Sequence, residues 1–250
     1  MDYRRLILPC TEQRPDHLPD PLFWHGTNVY AAAELVRTGY LSPGIDGAYE
    51  DKLFFAPNVE RHQKLGISLP FDPHMAVSET GRDNCVRIHA RMGARMWHMR
   101  RLYGDRLPKE FYTLLSEIAF ANSLRLTKRI LKDEVTGLED IIAKQKDPTQ
   151  IRRDLKEAFT YRGVLITLKD SAMHFNPKMA FDDRVSTEIY STEGLPACYV
   201  QGILPLSQTD EILLLREIVG GQAVQHNTHA AKRHRRCRKN RAQKPACPWK

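Results

Sequence analysis

Cysteine is scarce in this chain and follows no recognisable pattern. The five cysteines are scattered, odd in number, and include no CxxC pair (Cys10, Cys85, Cys198, Cys237 and Cys247). This distribution argues against a disulfide framework and a zinc knuckle, and it indicates a reducing compartment. The histidines also lack metal-ligand spacing, so we predict no metal site.

Long apolar runs are missing as well. No stretch approaches the ~18 residues that a membrane helix needs, and the apolar run at 6–8 is too short for a secretory signal. We therefore expect a protein made without a cleaved signal, either cytoplasmic or exported as an effector by a route that the sequence does not reveal. The chain has no P-loop, GxGxxG or GxSxG motif, which removes the commonest nucleotide-binding and hydrolase signatures.

Acidic residues are missing from the C-terminal segment. Residues 221–250 contain nine Lys or Arg and no Asp or Glu. The whole chain carries +8, and subtracting these nine charges leaves residues 1–220 at −1. We expect a disordered basic tail that can contact nucleic-acid phosphates in a salt-dependent way. A second basic stretch, at 91–106, either extends that surface or forms a helix face.

The chain is organised around residues 23–39. Phe23, Trp24 and His25 predict an aromatic strand that ends on the histidine. Asn28 can cap a following helix, and Gly39 stands where that helix would stop. A glycine after His25 lets a ligand approach the backbone, and a nearby helix N-terminus suits phosphates or amides. The alternative is a partly buried histidine that a hydrogen bond holds at the end of a strand.

The remaining patterns predict an α+β fold. Alternating or apolar runs predict strands at 53–56, 85–90, 163–168, 185–190 and 198–204. Helical periodicity predicts helices at 59–66, 108–131, 135–145, 149–159 and 209–219, the last capped by Thr209 and Asp210. Strands from both ends of the chain must then pair across a helical insertion at about 105–160, within one domain spanning 1–220.

Three stretches stand in a recognisable order: His25-Gly26-Thr27, Phe54-Phe55-Ala56, and Ser186-Thr187-Glu188 with the closing strand at 195–203. Taken together, these motifs resemble the ADP-ribosyltransferase superfamily, in its diphtheria-toxin and poly-ADP-ribose-polymerase branch. The resemblance covers about 22–66 and 160–206, and it implies a split β-sheet core. RNA 2′-phosphotransferases share this fold and the same His-Gly-Thr start.

The resemblance implies a role for each matching residue. Glu188 is implied as the catalytic carboxylate, on a third core strand. His25 is implied to hydrogen-bond the adenosine ribose of NAD, with Thr27 touching the same ribose. The Gly26 backbone is implied to bind the nicotinamide carboxamide.

The aromatic positions depart from the branch. Phe54, followed by Phe55, falls where the branch usually has a tyrosine that stacks against nicotinamide. Leu65 stands where a second stacking aromatic often lies. Glu193 is an alternative to Glu188, although Glu193 precedes a glycine in a predicted turn. Glu188 can also be a solvent-facing strand residue.

These implications predict an enzyme, an NAD-dependent mono-ADP-ribosyltransferase of the glycosyltransferase class, with NAD as its substrate. Its acceptor would be a protein or a nucleic acid, as for many toxins and effectors. Two alternatives stay open: an NAD-dependent RNA 2′-phosphotransferase, and a catalytically inactive relative that binds nucleic acid. The transferase hypothesis further predicts that His25, Phe54 and Glu188 converge on one cleft.

Overall fold

The computed structural model describes residues 2–10, 20–43, 52–69, 79–124, 128–174, 178–179 and 189–220. These residues form a mixture of helices and antiparallel strands, which confirms the α+β class at that level. None of the helices among them is long and apolar enough to cross a membrane.

Strands lie at both ends of the described chain, with helices between them. The strands are β1 (Phe23–Thr27), β2 (Tyr40–Leu41), β3 (Leu53–Pro57), β4 (Val164–Leu168), β5 (Lys178–Met179), β6 (Ile189–Ser191), β7 (Leu195–Pro196) and β8 (Val200–Pro205). The helices are α1 (Val29–Thr38), α2 (Val59–Lys64), α3 (Glu79–Tyr103), α4 (Lys109–Leu124), α5 (Lys128–Ala143), α6 (Pro148–Ala158) and α7 (Gln208–Val219).

One antiparallel sheet contains six of these strands, in the order β5-β6-β3-β1-β4-β8. β2 pairs separately with β7. The ladder between β1 and β4 runs the full length of β1. The ladder between β1 and β3 is much shorter, because only Phe23 and Trp24 are in register, with Pro57 and Ala56.

Helices cover both faces of the sheet. α1 and α7 enclose the larger core on one face, where Phe23 and Ile166 are buried. α3 lies on the other face and packs on β1 and β4, over Leu165. A separate core among α3 to α6 buries Phe111 and Ile142. The sheet therefore lies between two helical layers.

Helix α1 begins and ends at the residues that the sequence predicts. The Asn28 side chain accepts a hydrogen bond from the Ala31 N–H at 3.0 Å. Gly39 has a left-handed φ of 72°, and its N–H donates to the Leu35 carbonyl. An N-cap side chain and a C-terminal glycine are both local signals, so the two ends of this helix are specified by nearby residues.

The predicted strand at 85–90 is wrong, because this segment lies within helix α3. Val86, Ile88 and Ala90 are all buried, whereas Arg87 and His89 between them are only partly so. Val86 and Ala90 are four residues apart and face the sheet together. Ile88 is buried on a different side of the helix, and two buried sides produce the alternation expected of a strand.

The last helix begins at a different cap from the predicted one. The Ser207 side chain accepts from the Asp210 N–H at 3.1 Å, so Ser207 is the N-cap. Asp210 is fully buried and accepts hydrogen bonds from the backbone N–H groups of Arg162 at 2.9 Å and Gly163 at 3.1 Å. Burial raises the pKa of this carboxyl. Asp210 thus ties the start of α7 to the start of β4.

The predicted strands at 163–168 and 198–204 are confirmed as β4 and β8, with β8 beginning at Val200 after a short turn. The strand predicted at 185–190 is described only from Ile189 onward, as part of β6. Residues 185–188 and the basic tail at 221–250 lie outside the described residues.

Candidate functional site

The sheet opens between β1 and β3, next to His25. Beyond Trp24, β1 continues to Thr27 with β4 as its registered partner. Before Ala56, β3 pairs with β6 at Leu53, Phe54 and Phe55. The sheet therefore consists of two halves, β8-β4-β1 and β3-β6-β5, joined at two residue pairs. We call the gap between His25–Thr27 and Leu53–Phe55 the split.

Gly26 directs its backbone polar groups into the split. The Asn58 N–H donates to the Leu22 carbonyl at 2.9 Å, so this carbonyl points towards β3, whereas the Leu22 N–H donates to the Leu168 carbonyl at 2.8 Å. Carbonyls alternate sides along a strand, so those of Trp24 and Gly26 also point towards β3, and within the extended β1 each N–H points to the same side as the carbonyl of its residue. The ladder with β3 has ended by Gly26. Among the described residues, its N–H and C=O therefore have no registered strand partner on this side, and an amide-bearing ligand can take the place of a strand there.

His25 closes one side of the split. Its Nδ1 lies 2.7 Å from the Phe54 carbonyl oxygen. A carbonyl only accepts, so Nδ1 carries the proton and Nε2 the lone pair of the neutral ring. The His25 ring thus donates to the Phe54 carbonyl at a position where β1 and β3 are no longer in register. His25 is thus also the hydrogen-bonded, buried strand histidine of the alternative hypothesis, although β1 continues two residues beyond it.

The environment of His25 keeps its ring neutral. The side chain is buried and lies 5.5 Å from the Phe55 ring, measured between centroids. Burial lowers the pKa of His25 from 6.5 to about 4, against the effect of the Phe54 hydrogen bond and with a smaller contribution from the charge of His89. His25 can therefore accept a hydrogen bond from a hydroxyl through Nε2 near neutral pH, but it cannot supply positive charge there.

The Phe54 side chain lies on the opposite face of the sheet from His25. The His25 ring contacts Phe55, and successive side chains of a strand point to opposite faces. The Phe54 ring instead lies 5.9 Å from the Tyr190 ring, and Lys52 Nζ is 4.5 Å from the Tyr190 centroid. The His25 and Phe54 side chains therefore do not converge, although the Phe54 backbone contacts His25.

Gly26 is a glycine because a helix lies against it. A Cβ at this position would be 2.2 Å from the Val86 carbonyl oxygen and 3.1 Å from the Ala90 nitrogen. Gly163 is restricted in the same way, since its Cβ would be 2.4 Å from the Ala90 carbonyl oxygen. The sequence argument that Gly26 admits a ligand is thus corrected: α3 occupies the space over its Cα, and only its in-plane edge remains for a ligand.

The other predicted residues have distinct positions. Thr27 is half-buried at the end of β1, and Phe55 is a core residue that packs near Phe23. Glu188 lies outside the described residues. Glu193 is exposed between β6 and β7, where its N–H donates to the Ser191 hydroxyl at 3.1 Å, so its predicted turn position is confirmed.

Two residues near the split have no role in the sequence argument. Tyr190 forms a cross-strand aromatic pair with Phe54. The sequence placed Tyr190 in the strand predicted at 185–190 but did not indicate that this strand pairs with the one that carries Phe54. His89 is close enough to lower the pKa of His25, but the segment around it was assigned to a strand rather than to α3. Its position depends on the contact between α3 and β1, for which the sequence carries no local signal.

No group of three or more potential metal ligands occurs among the described residues. In comparisons with known proteins, no family model, curated protein or solved structure matches this chain.

Proposed function

We propose that this protein is an NAD-dependent mono-ADP-ribosyltransferase, with the split between β1 and β3 as its NAD site. The observation that carries the proposal is the position of Gly26. Its backbone N–H and C=O lie at a strand edge where the ladder with β3 has ended. A carboxamide offers one acceptor and two donors, so nicotinamide can pair with both backbone groups as a neighbouring strand would.

The surroundings of the split supply the other parts that NAD requires. His25 is neutral and offers Nε2 as an acceptor for a ribose hydroxyl. The Phe54 and Tyr190 rings form an aromatic surface on β3 and β6, the strands across the split from Gly26. Aromatic walls hold flat ligands and exclude water from the bond that breaks. Because the Phe54 side chain faces away from His25, we assign the nicotinamide carboxamide to the backbone edge of Gly26. We assign stacking against the nicotinamide ring to the Phe54 and Tyr190 rings.

The chemical step requires a carboxylate, and Glu188 is our candidate. Cleavage of the nicotinamide glycosidic bond develops positive charge on the ribose. A carboxylate bound to a ribose hydroxyl interacts more strongly as that charge grows, so it stabilises the transition state more than the bound substrate. Glu188 directly precedes β6, the strand that pairs with β3. The exposed turn position of Glu193 suits this role less well.

The decisive experiment is incubation of the full chain with NAD labelled in the adenylate, in the presence of a cell lysate. Label that becomes attached to a macromolecule, together with released nicotinamide, is the expected result. Treatment of the product with nuclease or protease then assigns the acceptor class. Loss of a 2′-phosphate from RNA without retained label would indicate the phosphotransferase instead. Neither change would indicate a catalytically inactive relative.

A further inference from the structure

Helix α3 carries a row of arginines along one side. Arg87, Arg91 and Arg95 are spaced four residues apart, so they follow one another along the helix at intervals of about 6 Å. Arg162, which is exposed just before β4, is close enough that its charge acts on Arg91. We call these four residues the arginine row. The row begins beside Val86, the residue whose carbonyl lies over Gly26.

Two members of the row, Arg91 and Arg95, differ from several other arginines of the domain in the charges that act on them. Arg61 pairs with Asp170, Arg101 with Glu217, and Arg152 with Glu139. Among the described residues, the charges that act on Arg91 and Arg95 are instead those of other arginines.

This arrangement makes the positive charges costly. Burial, followed by repulsion from Arg162 and Arg87, lowers the pKa of Arg91, and burial followed by repulsion from Arg91 lowers the pKa of Arg95. The Arg95 guanidinium lies over the Phe159 ring at 4.4 Å, while its Nε is buried with no hydrogen-bond partner in the described part of the chain. An anion bound along the row would relieve the repulsion between these guanidiniums.

We propose that the arginine row binds the phosphodiester backbone of a nucleic-acid strand. A single phosphate cannot contact guanidiniums that extend over about two turns of helix, or about 12 Å, whereas a polyanion with regularly spaced charges can. Backbone contacts position a strand without reading its sequence, so binding is independent of base order. Binding of a nucleic-acid strand by the arginine row is independent of the proposed transferase function. The further step, that this strand is the ADP-ribose acceptor, rests on that function.

The test measures binding of a fluorescein-labelled single-stranded DNA of mixed sequence to the full chain across a range of salt concentrations. Arg87→Gln/Arg91→Gln removes two charges from the row and spares Arg95, which packs on Phe159. Loss of two phosphate contacts should weaken binding and reduce the slope of log affinity against log salt by about 1.4. The matched control, Arg152→Gln/Arg153→Gln, removes two exposed charges from α6 and should keep the wild-type slope.

Further arms keep the proposal falsifiable. Arg87→Lys/Arg91→Lys retains the charges and should retain the salt slope, which separates an electrostatic role from a packing role. Equal slopes for the row variant and the α6 control would overturn the proposal. So would binding to phosphatidylserine vesicles that depends on the row while DNA binding does not, because the row would then serve a membrane surface. DNA binding is measured without NAD, so the result stands whether or not the protein cleaves NAD.

Discussion

Replacing Gly26 by alanine tests the contact on which the geometry of the split depends. Gly26 has no left-handed φ, so alanine meets no backbone strain there. The new Cβ would instead lie 2.2 Å from the Val86 carbonyl oxygen and 3.1 Å from the Ala90 nitrogen. Both atoms belong to the backbone of α3, which cannot move aside as a flexible side chain can. The helix must shift away from β1, or β1 must shift within the sheet.

The expected cost follows from this overlap. Added methyl groups in a packed core typically cost 1–3 kcal/mol, and a backbone obstacle puts Gly26→Ala at about 3 kcal/mol or more. Gly93→Ala, on the same helix, is the matched control. Its Cβ would come no closer than 3.9 Å to another atom, the nitrogen of Asn28. Alanine in a helix interior should instead raise the free energy of unfolding by roughly 0.5–1 kcal/mol.

Urea denaturation of the two variants and the wild type, followed by circular dichroism, measures both effects. The account predicts opposite signs, with Gly26→Ala strongly destabilised and Gly93→Ala slightly stabilised. An ordinary surface substitution changes the free energy of unfolding by no more than about 0.5 kcal/mol. If the free energy of unfolding of Gly26→Ala lies that close to the wild-type value, α3 does not lie against β1 as described. The reasoning about the open edge of Gly26 would then fail with it.

Three further predictions concern single side chains. The folded pKa of His25, about 4, is below its unfolded value of 6.5, so the folded state binds fewer protons between these values. Stability should therefore fall as pH drops through this window, by about 3 kcal/mol from His25 alone, and His25→Gln should lose that part of the pH dependence in urea titrations. Asp210→Ala leaves the partly buried backbone donor of Arg162 and the buried backbone donor of Gly163 without an acceptor, so it should lower the free energy of unfolding by roughly 2–4 kcal/mol, with Asp210→Asn milder. Glu188→Gln should reduce single-turnover nicotinamide release by about 10²–10³ with little change in NAD affinity, whereas Glu193→Gln should stay near the wild type; the reverse order would move the catalytic carboxylate to Glu193.

Features specified by local sequence were predictable. The caps of α1 depend on one side-chain oxygen and one glycine, and both lie where the sequence places them. Helix α6 was predicted from residue 149 and begins one residue earlier, at Pro148, after Asp147, whose side chain accepts from the Gln150 N–H. These signals act within a few residues, so no knowledge of the tertiary fold is needed to use them.

Features that depend on contacts between distant segments were not predictable. Val86, Ile88 and Ala90 alternate with polar residues because α3 is buried on two sides, and a single sequence cannot separate this pattern from a strand. The side chains of His25 and Phe54 lie on opposite faces of the sheet because of the register between β1 and β3. Two residue pairs set that register, and the sequence does not indicate which residues pair. The reason for glycine at position 26 is a helix more than fifty residues away along the chain.

The most direct test of the proposed NAD site follows the backbone amide of Gly26. In the uniformly ¹⁵N-labelled protein, titration with NAD should shift the Gly26 amide resonance and slow its exchange with solvent, because the nicotinamide carboxamide would accept its hydrogen bond. The Gly163 amide already donates to Asp210 at 3.1 Å, so it should exchange at the same rate with and without NAD. Saturation with NAD that leaves the Gly26 amide unchanged, or no binding at all, would contradict the account.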